Sequence, residues 1–210
     1  MKMNKKNIAA AVAGLILLGA ATGGAYAYFT DSEKTVNNIT IGSNEITITE
    51  EFPTPEPPAV GENTYVKKVA VTNTGDVDCF VRVYAEFEDN AVREVSEYSR
   101  DNGATYVSED EFRATLPENW EYRTDGDFGP YYYYKLPIAP GESTPNLFTN
   151  LKVTFATEND VKPFKFVVYA ESVQTKDRHG EDFTGENIYR QAWEEYLNNP
   201  TETEPEPIEP

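Results

Sequence analysis

Few residues in this chain have types and spacing that could do chemistry. There is one His and one Cys. His179 sits in the run Thr175-Lys176-Asp177-Arg178-His179-Gly180-Glu181-Asp182, a charged loop after a strand-like segment. No H-E-x-x-H pair supplies two metal ligands on one helix face, and neither a G-x-S-x-G elbow nor a phosphate-binding loop occurs. His179 therefore reads as a solvated loop residue. Cys79 opens an alternating apolar run, which makes it a small buried hydrophobe rather than a nucleophile. A single Cys excludes an internal disulfide, and one Cys with one His cannot complete a four-ligand zinc site. Asp76/Asp78 and Asp125/Asp127 offer the hard oxygens that calcium takes, but neither pair lies in an EF-hand loop, so solvated turns are the plainer reading. Among 36 acidic side chains no glycosidase pair can be singled out. The expectation is a protein that is not an enzyme and that uses neither cofactor nor metal.

The consecutive Tyr131, Tyr132, Tyr133 and Tyr134 form the one conspicuous binding candidate. On a strand they place two rings on each face, and an exposed pair could stack on sugars or on another subunit. The competing reading puts one pair in the core and the other beneath a loop.

The elements that must position these residues are strands. Cys79, Val81, Val83, Ala85 and Phe87 are apolar, while Phe80, Arg82, Tyr84 and Glu86 alternate with them, the period of a half-buried strand. Similar alternation runs through Tyr65–Thr72, Leu151–Phe155 and Phe164–Ala170. Ile39/Ile41 and Ile46/Ile48 form two short runs around a turn at Gly42-Ser43-Asn44, and Tyr131–Leu136 is a further strand. Asn73-Thr74-Gly75-Asp76 reads as a hairpin turn. About eight strands divided by Gly, Pro and Asn turns predict an all-β fold, an antiparallel jelly-roll-like β-sandwich with a few short helices. One helix follows the capping box Ser108-Glu109-Asp110-Glu111. Another runs from a Thr184 cap to about Leu197, with Ile188, Ala192, Trp193 and Tyr196 on one face. A third, weakly signalled, covers Asn90–Asp101.

Composition narrows the partners. Lys plus Arg total 18 against 36 Asp plus Glu, a net charge of −18, which argues against nucleic acid and anionic lipid heads as ligands. The 14 Tyr, 11 Phe and 2 Trp argue for a packed domain rather than a solvated coil. Residues 1–27 read as a signal peptide, with Lys2, Lys5 and Lys6 ahead of an apolar stretch from Ile8 to Gly23 and a small-x-small site at Ala25-Tyr26-Ala27. Cleavage there starts the secreted chain at Tyr28. The alternative is an uncleaved anchor, because residues 7–30 carry no charge and are long enough to span a bilayer. Loss of residues 1–27 removes three Lys and no acid, so the mature chain has 15 basic against 36 acidic side chains, net −21. Residues 28–198 are assigned to the sandwich and 199–210 to a solvated Pro/Glu tail. Phe52–Pro58 reads as a stiff link between strands.

These features add up to a resemblance. Ala27-Tyr28-Phe29-Thr30-Asp31 directly after the signal segment, followed by Asn38-Ile39-Thr40-Ile41-Gly42, resembles the start of the TasA/camelysin family of secreted matrix proteins of Gram-positive bacteria. The same order continues through Val69–Gly75, Val81-Arg82-Val83, Trp120 leading to Tyr132-Tyr133-Tyr134, Pro140–Thr144, Leu147-Phe148, Ala170–Gln174 and Ala192-Trp193, and so covers about residues 1–197. The resemblance implies a jelly-roll subunit released by a SipW-type signal peptidase and built into extracellular fibres or biofilm matrix at the cell surface. The metallopeptidase label that some members carry is not transferred, because the ligands are missing. The expected partners are other copies of this chain or related matrix subunits, with the membrane involved only through the signal segment. Residues 28–48 are the expected assembly element, a donor strand carrying Val36, Ile39 and Ile41. The alternative is a surface adhesin or carbohydrate-binding module that presents Tyr131–Tyr134 to a glycan.

Overall fold

The computed structural model describes residues 28–33, 45–51 and 57–198, which form ten strands and three helices. The strands are Tyr28–Glu33 (β1), Ile46–Glu51 (β2), Gly61–Val66 (β3), Lys68–Asn73 (β4), Cys79–Phe87 (β5), Ser96–Ser99 (β6), Trp120–Arg123 (β7), Tyr131–Ile138 (β8), Asn150–Phe155 (β9) and Lys165–Gln174 (β10). One layer has the order β1-β10-β5-β8-β7. The other consists of β2-β4 and β3-β9-β6. Its two parts are joined through the chain entering β9: Leu147 and Thr144 donate to the carbonyls of Val69 and Val71, while the Lys67 N–H donates to Thr149 O at 2.9 Å. The result is an all-β sandwich, as the alternation predicts. The expected signal segment, the Ile39/Ile41 run with its turn, most of the Phe52–Pro58 link and the acidic tail lie outside the described residues.

The core lies between the layers because each alternating run turns its apolar set inward. Cys79, Val81, Val83, Ala85 and Phe87 are all buried, as are Phe164, Phe166, Val168 and Ala170. Phe87 meets Phe166 at 4.7 Å between ring centroids, and Phe148 meets Phe166 at 5.4 Å, both edge to face. These geometries let ring edges meet ring faces, which the quadrupoles favour over parallel sandwiches.

The structure corrects four expectations. The Asn73–Asp76 turn is not a hairpin: β4 pairs with β2, whereas β5 pairs with β10 and β8, so the turn carries the chain from one layer to the other. Asn73 holds this crossover, donating from Nδ2 to the carbonyls of Val77 and Ile138, both at 2.8 Å. The segment Asn90–Asp101 is only briefly helical, Asn90–Glu94 (α1), capped by Asp89. Ser96 Oγ then donates to Val92 O, and Tyr98, buried against Phe87 and Phe112, draws Ser96–Ser99 into a strand on β9. The last helix, Ile188–Asn198 (α3), begins four residues after Thr184, because Gly185 and Asn187 hold φ of +91° and +57°. Residues in that left-handed region cannot belong to a right-handed helix. Finally, β1 runs parallel to β10, the one parallel pair among the described strands. The helix Glu109–Ala114 (α2) forms as expected, with Ser108 Oγ accepting from the Glu111 N–H.

Candidate functional site

Two features of the five-stranded layer remain as candidate sites: the edge where β1 lies and the outer face of β10, β5 and β8. At the edge, Tyr28 is opposite Lys165 and Glu33 opposite Ala170, in unbroken parallel register. Strand β10 is bonded on its other side to β5 from Phe166 to Gln174. Without β1, the first six residues of β10 would therefore present a row of unpaired backbone groups, a template to which another strand can bond. Tyr28, the expected first residue after cleavage, is also the first residue of β1. Ala25 and Ala27, on the other side of the cut, and the assembly residues Val36, Ile39 and Ile41 lie outside the described residues.

The tyrosine run is divided by the pleat. Tyr132 and Tyr134 face the core, where Tyr132 meets Phe112 and Tyr134 meets Trp120. Tyr131 and Tyr133 are on the outer face, but Tyr133 is buried beneath α3, with Trp193 edge-on at 5.7 Å. Of the four candidate rings three are buried and Tyr131 alone is half exposed, so the run offers no exposed pair: one pair is in the core, and the other lies at a helix rather than beneath a loop. The turn feeding this strand needs Gly129, since a Cβ there would lie 2.2 Å from Thr124 Cα.

A buried ion pair sits beside Tyr131. Arg82 Nε donates to Glu171 Oε2 at 2.6 Å, and Nη1 donates to Tyr133 Oη at 3.0 Å. Its guanidinium lies 3.9 Å from the Tyr131 ring centroid and 4.5 Å from that of Trp193. Burial works against the Arg82 charge, but Tyr133 and Glu171 outweigh it and hold its pKa above the usual value. Sequence reading placed Arg82 on the solvent face of its strand. The helix with Ala192 and Trp193 on one stripe was expected, but nothing in the local sequence placed that stripe over Arg82.

The remaining chemical candidates stay apart. Cys79 is fully buried, and burial followed by the neighbouring Asp78 charge pushes its thiol up to about 12. His179 is exposed, its backbone N–H donating to Asp177 Oδ1 at 2.9 Å. Asp125 is exposed and paired with Arg123, and Asp76 and Asp78 lie on the exposed crossover. Among the described residues, no three His, Cys, Asp or Glu side chains converge as a metal site would require. Comparison with known proteins finds no matching family, no matching curated protein and no matching solved structure.

Proposed function

We propose that this chain is a secreted structural subunit, jelly-roll-like in kind, that assembles into extracellular fibres or matrix on a Gram-positive cell surface through its N-terminal strand. One observation carries the reading: β1 is held on the edge of β10 in parallel register. Backbone bonds of that kind can come equally from a second copy, and head-to-tail strand addition does not close on itself, so it yields filaments. The signal segment would keep Tyr28 tethered until export, which delays assembly until the strand end is free. The rival adhesin reading now rests on Tyr131 and its neighbours alone.

The test uses the mature chain starting at Tyr28, a chain starting at Glu45, and the pair Ile39→Asp with Ile41→Asp. Electron microscopy and sedimentation should show filaments for the first and folded monomers for the others. Normal polymerisation of the altered chains refutes strand donation. Their unfolding would show that the segment completes its own subunit's sandwich.

A further inference from the structure

Tyr169, Tyr84 and Tyr131 occupy one cross-strand row on the outer face, a placement that the sequence separates by as many as 85 positions. Tyr169 is directly opposite Tyr84 in the β10–β5 ladder, and their rings stack at 4.9 Å between centroids with 23° between planes. Tyr131 completes the cluster from β8, its hydroxyl 2.6 Å from that of Tyr169. All three side chains are half exposed. Tyr84 also has a proton acceptor in place, donating its hydroxyl to Glu86 Oε2 at 3.2 Å, while the ion pairs of Glu86 with Arg113 and Arg93 use the other oxygen. Burial and the adjacent Glu86 push the Tyr84 phenol up to about 12, so it is protonated at neutral pH. The only thiol that could quench a tyrosyl radical, Cys79, is buried on the opposite face of the same strand.

We infer that Tyr84 and Tyr169 are a site of oxidative tyrosine coupling, at which a one-electron oxidant joins β5 to β10 by a dityrosine bond. Each phenol loses one electron and its hydroxyl proton, the Tyr84 proton passing to Glu86 and the Tyr169 proton to solvent. The two phenoxyl radicals then form a carbon–carbon bond between ring carbons ortho to the hydroxyls. The coupled rings are then dienones, and transfer of the two ortho protons to their carbonyl oxygens restores both aromatic phenols. The net change is removal of two hydrogen atoms, accepted by an oxidant of the peroxide class working through a haem peroxidase, with the peroxide reduced to two waters. The stacked geometry matters because radical coupling needs the ring carbons in contact before either radical is quenched, and proximity of this kind turns a bimolecular step into an intramolecular one.

Other tyrosine pairs are less suited. Tyr122 and Tyr132 are at 4.6 Å, but Arg113 lies 3.9 Å over the Tyr122 ring and donates to the Tyr132 hydroxyl oxygen at 3.3 Å. A cation there opposes removal of an electron. The same argument makes Tyr131, beneath the Arg82 guanidinium, a weaker partner than Tyr84. Such a bond would give a covalent staple to a chain whose single Cys cannot form an internal disulfide.

The experiment treats the dilute mature chain with light-activated ruthenium tris(bipyridyl) and persulfate, and with peroxidase and hydrogen peroxide. Blue dityrosine fluorescence should appear in the monomer. Mass spectrometry of the digest should find the Tyr84 peptide joined to the Tyr169 peptide with two hydrogen atoms missing. Tyr169→Phe and Tyr84→Phe should each lose that product while keeping the circular dichroism of the folded chain. A main cross-link at Tyr122–Tyr132, or between molecules at this dilution, overturns the inference, and so does an undiminished yield in Tyr169→Phe. The peptide map of the unaltered chain decides the matter even if a variant fails to fold.

Discussion

Removing one partner of the Arg82–Glu171 pair should be among the costliest single changes in this protein. Both side chains are 5 % exposed, so neither charge can recover its hydration when the other is deleted. Breaking a buried pair in this way costs about 3–5 kcal/mol, against a total stability of about 5–15 kcal/mol for a domain. Glu171→Leu leaves the guanidinium with the Tyr133 hydroxyl and two aromatic faces, while Arg82→Met leaves a carboxylate in a nearly dry site. Each variant should lower the melting temperature by about 6–20 °C, since a domain of this size shifts by about 2–4 °C per kcal/mol. The double variant should behave differently. It removes both charges, substitutes apolar volume beside Trp193, and forfeits the hydrogen bond that the guanidinium donates to Tyr133, whose hydroxyl still donates to Phe128 O. That loss is worth about 1.5–3 kcal/mol, as for a bond to a charged group. Urea titration of monomers, followed by fluorescence and circular dichroism, would give the four stabilities of the cycle. Single variants that cost less than about 1 kcal/mol each and add up to the double would refute the reasoning, because they would show water reaching the pair beneath α3.

Four further outcomes are expected. Thiol reagents should label Cys79 slowly in the native state, and Cys79→Ser should cost about 1–3 kcal/mol for burying an unpaired hydroxyl; rapid labelling of the folded monomer would contradict the strand's orientation. N-terminal sequencing of the exported protein should begin at Tyr28, and filament growth at net −21 should quicken with salt as the Debye length shrinks to about 8 Å at 0.15 M, read by light scattering. Asp101 accepts hydrogen bonds from Ser99 Oγ and the Thr105 N–H, which hold its pKa at about 2, below the usual aspartate range. A depressed carboxyl adds stability above its unfolded pKa and loses it as pH falls through the folded one, so Asp101→Asn should flatten the acid side of the stability profile between about pH 4 and 2, measured by thermal melts.

Alternation determined which side chains share a face, because a pleated backbone sends every second one the same way whatever the strand's partner. The inward apolar sets of β5, β9 and the first half of β10 follow directly from it, as does the inert setting of Cys79, whereas the burial of Phe80, Arg82, Glu171 and Val173 on the other face does not. The helix at Ser108 was equally legible, since a cap acts within four residues. What sequence could not decide was pairing across distance. The Asn73–Asp76 turn has hairpin residues, yet it links different layers, because the choice of partner depends on which neighbour buries Val69 and Val81 best. The parallel seat of Tyr28–Glu33 on β10 has no local signal at all, since backbone bonds carry no side-chain signature. Arg82 and Glu171, and Tyr84 and Tyr169, meet only because antiparallel register sets them opposite one another and, for the ion pair, because α3 then closes over it. Local periodicity fixes which way each side chain points; only the assembled sheet, with its helix in place, decides what it meets.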